Sequence, residues 1–133
     1  MSRFVLDASA IITIYENRAG AEKLAALLQQ ASEGKAKLAM SVVNWGEVYY
    51  SIWRTGGPGV AKHVIEEIAQ LPIGIVPADL EQTRLAAELK AQYQLPYADC
   101  FAASLANLQR ATLVTADSDF SLLKKKLSLL LLS

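Results

Sequence analysis

The sequence predicts an α/β domain: a central, mostly parallel sheet with helices on both faces. Three observations predict it. Short apolar runs of strand length alternate with amphipathic segments of helical period along the whole chain. The strand runs show no clean apolar–polar alternation, as expected for strands covered on both faces. The segments between them are long enough to hold the helical crossovers that parallel neighbours need. A chain of 133 residues, 53% of them hydrophobic, suits a single domain spanning 1–133 with one core.

In order, RFVLD (3–7) reads as a first strand ending on an acid. ASAIITIYEN (8–17) and AEKLAALLQQASEG (21–34) read as helices, with Gly34 as a stop signal. KLAM (37–40) is a second strand, and Ser41 is placed to N-cap a helix over 41–56. Gly56, Gly57, Pro58 and Gly59 interrupt that helix before a further amphipathic one at 60–71. GIVP (74–77) is a third strand, 78–94 a helix, and Pro96 opens another helix at 97–110. TLVTA (112–116) is a fourth strand, 119–126 a short helix, and 127–132 a last buried strand.

The charge balance limits function. Thirteen basic and thirteen acidic residues cancel, so no global positive field marks a high-affinity duplex binder, and a polyanion would need a local patch. Cys100 is the only cysteine, which forbids an intramolecular disulfide and fits a reducing, cytoplasmic setting. No signal-peptide pattern opens the chain, and LSLLLLS (127–133) is too short to span a membrane.

Chemistry enters with LVTADSDF (113–120), where a buried strand gives way to Asp117 and Asp119. Parallel sheets place their sites at the carboxyl ends of strands. Asp7 ends the first strand and Asp117 follows the fourth, so their carboxylates meet if those strands are neighbours about 4.8 Å apart. Glu47, on the helix after the second strand, and Asp99, in the first turn of the helix opened by Pro96, can reach the same edge. Each acid alone also has an ordinary reading. Asp7, Asp117 or Asp119 can cap a helix or turn, Asp99 complements a helix dipole, and Glu47 can be a solvated helix residue.

Four ordered stretches change that balance. Asp7 with Ser9 two residues on, NWGEV (44–48), LPYADCFAA (95–103) and LVTADSDF (113–120) together resemble the PIN-domain ribonucleases, and most of all the VapC-type toxins of toxin–antitoxin pairs. The resemblance covers essentially the whole chain. It implies a PIN-like three-layer α/β/α sandwich with a five-stranded sheet in the order 3-2-1-4-5, which makes strands 1 and 4 neighbours. It implies an acidic quartet of Asp7, Glu47, Asp99 and Asp117 as catalytic and metal-binding residues. Asp119 would be an auxiliary metal-site acid, and Ser9 and Thr115 hydroxyls would brace the carboxylates. The implied activity is endonucleolytic hydrolysis of RNA; the implied partners are a small antitoxin and a second copy of the chain. The basic, leucine-rich KKKLSLLLLS at the C-terminus departs from the family pattern.

Physical chemistry supports a cation at such a quartet. Unit charges about 6 Å apart repel by roughly 3 kcal/mol at an effective dielectric near 20, so four of them store on the order of 15 kcal/mol. Protons or cations must offset that charge, and oxygen ligands without His or Cys favour Mg²⁺ or Mn²⁺. His63 is remote from every motif and reads as a surface residue. Arg54, seven residues beyond Glu47 on the same helical face, is a candidate phosphate contact. Lys124, Lys125 and Lys126 either steer RNA or keep the leucine-rich tail soluble. Trp45, Tyr49, Ile52 and Trp53 form a stripe that is core-facing for at least two members and otherwise a groove for a partner helix. A receiver domain would need adjacent acids after strand 1, and a haloacid-dehalogenase-like phosphatase Asp-x-Asp there; the chain has Asp7-Ala8-Ser9. The remaining alternatives are a non-catalytic PIN-like binding module and a solitary RNA-processing nuclease without an antitoxin.

Overall fold

The computed structural model describes residues 1–133. In chain order it comprises β1 (Ser2–Leu6), α1 (Ala8–Tyr15), α2 (Ala21–Ser32), β2 (Ala36–Ser41), α3 (Val42–Ile68), β3 (Ile73–Val76), α4 (Leu80–Gln92), α5 (Tyr97–Gln109), β4 (Thr112–Thr115), a 3-10 segment (Ser118–Leu123) and β5 (Leu129–Leu131). The five strands form one sheet in the order β3-β2-β1-β4-β5, and every neighbouring pair is parallel.

The alternation of side chains along β1 explains the three layers. Val5 and Leu6 are both fully buried and point to opposite faces of the sheet. Val5 joins Leu113, Ala86, Leu89, Phe101 and Leu105 in a core against α4 and α5. Leu6 joins Met40, Val114, Ile11, Leu24 and Val48 in a second core against α1, α2 and α3. The expected single core is therefore two, one on each face, because a sheet without polar alternation has two apolar sides to cover.

The two helices expected over 41–56 and 60–71 are both present within α3, separated at Gly57, whose φ of 86° and ψ of 170° are not helical. A residue before proline is pushed out of the helical region, and glycine reaches this conformation without cost from a Cβ. Two later elements differ from the sequence reading. The expected helix over 119–126 is a 3-10 segment. The last strand is shorter than 127–132: its residues Leu129, Leu130 and Leu131 are half-buried, and only Leu132 beyond it is buried, at 2% exposure. β5 is an edge strand, covered less completely than the centre. Its end is locked by Gly20 (φ 92°), where an added Cβ would lie 2.0 Å from the Leu132 carbonyl oxygen. No helix is long and apolar enough to cross a membrane.

Candidate active site

β1 and β4 are neighbours with Leu6 opposite Val114, so Asp7 and Thr115 leave the sheet side by side. The Asp7 backbone N–H donates to the Val114 carbonyl at 3.3 Å and continues the ladder by one bond. The Thr115 hydroxyl donates to Asp7 Oδ2 at 2.6 Å. On Oδ1, Asp7 accepts from the Ser9 hydroxyl at 2.7 Å and from the Ala10 N–H at 2.9 Å. The same two hydroxyl oxygens accept in turn, Ser9 from the Ala116 N–H and Thr115 from the Asp117 N–H, each at 2.9 Å. Ser9 Oγ and Thr115 Oγ1 are 3.2 Å apart. Each hydroxyl has one proton and spends it on Asp7, so that approach is a contact inside the network. The bracing roles implied for Ser9 and Thr115 thus have a geometry: they clamp Asp7, which is only 2% exposed, and tie it to the strand that delivers Asp117.

The ordinary capping readings hold at the same time. Asp7 N-caps α1, and Asp117 Oδ1 caps the 3-10 segment by accepting from the Asp119 N–H at 2.9 Å. Capping fixes both carboxylates at the strand ends.

Glu47 and Asp99 reach the corner from opposite faces of the sheet. Ser41 caps α3 by accepting from the Val43 N–H at 3.3 Å, and the second turn then carries Glu47. Asn44, one turn earlier and fully buried, donates Nδ2 to the Ala98 carbonyl at 3.0 Å and more weakly to Glu47 Oε1 at 3.5 Å. This carboxamide joins α3 to the first turn of α5, beside Asp99. Its Oδ1 has no partner, although it is buried. Asn44 is a site residue that sequence reasoning missed; its position three residues before Glu47 was the available signal.

The acids feel one another. Burial pushes Asp7 above the usual carboxylate range; the bonds from Thr115, Ser9 and Ala10 oppose this, and the charge of Asp117 adds to it. Burial also raises Glu47, against its bond from Asn44 and with Asp7 and Asp117 adding. Asp99 is pushed up to about 7, by burial first and then by Glu47, Asp7, Asp117 and Asp119. No Lys, Arg or His forms an ion pair with any member of the quartet. The four acids therefore share one field with no protein cation to offset it.

This donor set suits a hard divalent cation in its chemistry: oxygen ligands only, excess negative charge, and a carboxyl, Asp99, raised by burial and then by its acidic neighbours. The spacing is open, and no three His, Cys, Asp or Glu side chains stand together as a ready-made cage. Electrostatic coupling reaches farther than a metal–ligand bond, which reconciles the two facts. An open set fits Mg²⁺ better than a closed one, because Mg²⁺ keeps several waters and takes only one or two carboxylates.

Other candidates lie farther out. Asp119 is exposed and touches the group through its effect on Asp99. Arg54 is exposed on α3, with its guanidinium 5.1 Å from the Tyr50 ring centroid. His63 is a surface residue 2.7 Å from Glu67. Lys124, Lys125 and Lys126 are exposed, and Lys126 lies beside Thr112 at the start of β4, the end of that strand away from Asp117. In the aromatic stripe, Ile52 is buried and Trp45 and Tyr49 are half-buried against the second core, whereas Trp53 is 49% exposed.

The family model of the PIN domain matches residues 4–126. No curated protein matches the chain by sequence. Solved structures match closely in shape. VapBC2 from Rickettsia felis, bound to a promoter DNA fragment, superposes with a TM-score of 0.79 at 17% identity, covering 98% of this chain and 99% of that one. DNA-bound VapBC from Salmonella typhimurium gives 0.77 at 16% identity, with 100% of both chains covered. VapC20 from Mycobacterium tuberculosis, a sarcin-ricin loop cleaving toxin, gives 0.72 at 12% identity, with 90% and 93% covered. At these identities the likeness is one of fold.

Proposed function

Because the chain belongs to the PIN-domain family, we propose that it is an endoribonuclease dependent on Mg²⁺ or Mn²⁺, and the toxin of a type II toxin–antitoxin pair. The observation that carries the nuclease reading is the convergence of Asp7, Glu47, Asp99 and Asp117 on one corner with no protein cation to offset them.

Asp7, Asp99 and Asp117 would hold the metal, and Glu47 would either join them or orient the attacking water; Asp119 is an outer auxiliary acid. A bound divalent cation supplies Lewis acidity, making water a better nucleophile and stabilising the leaving oxygen of a phosphodiester. The chain's own residues supply position. Ser9 and Thr115 fix both oxygens of Asp7, and Asn44 ties Glu47 to the turn that bears Asp99. Burial and the neighbouring acids push the Asp99 carboxyl up to about 7, so it is partly protonated near neutral pH and would give up that proton on binding a cation. The reaction is in-line hydrolysis leaving 5′-phosphate and 3′-hydroxyl ends.

The toxin reading is supported by the whole-chain likeness to VapBC complexes and to a toxin that cleaves the sarcin-ricin loop. It brings with it a cognate antitoxin, a homodimer and a cytoplasmic site of action. The open spacing of the acids is the observation that favours a second reading, a non-catalytic binding module on the same scaffold.

Release of labelled fragments from a mixed RNA pool separates the two. The nuclease reading expects cleavage with Mn²⁺ that excess EDTA stops and that Asp7→Asn abolishes with its circular dichroism unchanged. Cleavage that persists in EDTA, or full activity of Asp7→Asn, refutes it.

A further inference from the structure

The chain's zero formal charge conceals a separation. The uncompensated acids gather at the carboxyl ends of β1 and β4, and a group of unpaired cations lies at the other end of the sheet. Arg3 stands near the start of β1, four residues before Asp7 and about 13 Å from it along the strand. Lys37 on β2 is its register partner, so two exposed like charges stand side by side on neighbouring strands and repel. Arg110 ends α5 just before β4, and Lys126 comes shortly before β5. None of these four cations has an ion-pair partner.

Three of them border a trough. Its larger part, about 570 Å³, is lined by Arg3, Gln109, Arg110 and Thr112 beside the first residues of the chain. A smaller part of about 280 Å³ shares Arg110 and Thr112 and adds Lys126 and Ser128. No acid lines either part. Arg110 is held at φ 52° and ψ 46°, the left-handed conformation for which a helix end ordinarily uses glycine. A residue with a Cβ is strained there. Its charge complements the carboxyl end of α5, but a cation in the last helical turn would do that without the strain.

The lining decides the class of ligand. Apart from Met1, the apolar residues of the trough are Phe4, Ala106, Ala111 and Leu127, and all four are packed into the two cores. A protein partner draws its binding energy from apolar and aromatic anchors that become fully desolvated, and beyond Met1 this surface offers none. A sugar–phosphate backbone needs no such anchor, because cations and neutral N–H and O–H donors hold it. Cations spread along an acid-free trough, with amide and hydroxyl groups between them, match a run of phosphates better than a single ion.

We propose that this trough is a second binding site, remote from the acids, that grips the sugar–phosphate backbone of RNA outside the cleaved segment. The choice of RNA as the polyanion rests on the nuclease reading. The quartet repels a polyanion until a metal binds, so attraction at the far end of the sheet recruits the strand, without regard to its sequence.

The test uses full-length protein carrying Asp7→Asn, in EDTA, with fluorescence anisotropy of a labelled twenty-nucleotide RNA over a range of salt. Arg3→Ala and Arg110→Gly should each reduce the slope of log K against log salt by about 0.7, the value for one lost contact to a single strand, and Arg110→Lys should keep the parent slope. Arg110→Gly should hold or raise the melting temperature, because glycine relieves the left-handed strain. In the cleaving background, both charge-removing variants should raise KM for the long RNA with kcat unchanged, and leave cleavage of a trinucleotide unaltered. Unchanged slopes overturn the proposal, and a lower melting temperature of Arg110→Gly alongside them assigns that residue to the α5 dipole alone; if wild type still cleaves RNA, the nuclease reading survives that failure. Slopes that fall as expected, with no cleavage by wild type in Mn²⁺, keep the trough and refute the nuclease reading. Poly-glutamate of equal charge that displaces the RNA as well as unlabelled RNA does assigns the trough to an acidic protein and overturns the proposal. Inorganic phosphate that displaces the RNA equally well assigns it to a free anion, with the same consequence.

Discussion

Three of the chain's outer acids and its inner acids are treated in opposite ways. Glu16, Glu33 and Glu88 are exposed, and each lies beside a cation: Arg18 at 2.7 Å, Lys35 at 3.2 Å and Arg84 at 2.7 Å. Asp7, Glu47, Asp99 and Asp117 share one corner and have no such partner. Exposed pairs contribute only about 0.2–1 kcal/mol each. Charge compensation is thus present where it matters little and absent where burial makes it matter most. The inner acids are held by neutral donors instead, the hydroxyls of Ser9 and Thr115 and the carboxamide of Asn44. Neutral donors fix the position of a carboxylate without cancelling its charge, which leaves that charge for a ligand.

The comparison can be broken by substitutions on either side of it. The largest effects belong to the inner acids. Glu47→Gln is expected to lower kcat on a labelled RNA by about 10²–10⁴-fold, the range for losing a group that orients or activates the nucleophile, while urea melting shows a folded protein. An Asp7 whose Thr115 partner is removed should be the next most costly change. Thr115→Val leaves Asp7 Oδ2 buried without its donor and should destabilise by about 1–3 kcal/mol in urea unfolding, with activity falling as Asp7 loosens.

Asp99 offers a test that depends on pH. Its folded pKa of about 7 lies above the ordinary carboxylate value of 3.8, so the folded chain holds a proton that the unfolded chain releases. Its contribution to stability is full below the unfolded pKa and is lost as pH rises towards 7. In EDTA, the advantage of Asp99→Asn over wild type should therefore grow between pH 4 and pH 7 and level off above that. An advantage that is constant across this window would show that Asp99 is not the strained group. Smallest of all, Arg84→Ala should change stability by no more than about 1 kcal/mol. A larger loss would mean the exposed pairs are not the weak side of the comparison.

Particular residues explain what was legible in the sequence. Apolar runs ending on Asp7 and continuing into Asp117 pointed to strand ends at one edge, and the PIN-like strand order makes β1 and β4 neighbours as the resemblance implied. Ser41 was readable as a cap because capping is local. Asn44 was not readable, because its role appears only when α5 brings the Ala98 carbonyl across from a position 54 residues later. The interruption of α3 at Gly57 was readable because Gly56, Gly57, Pro58 and Gly59 punctuate the helical pattern locally. β5 looked fully buried because a leucine run carries no mark of whether its strand lies at the centre or the edge of a sheet.

The central claim is that the uncompensated corner exists to take a divalent cation. The direct measurement is the melting temperature of metal-stripped protein titrated with Mn²⁺ at pH 7.5, in wild type, Asp7→Asn and Asp99→Asn. Wild type is expected to gain stability in proportion to the logarithm of the concentration once the site fills, about 2.7 kcal/mol at one hundred times the dissociation constant, and the two variants to gain far less. A flat wild-type curve, or an equal rise in all three proteins, would contradict the claim.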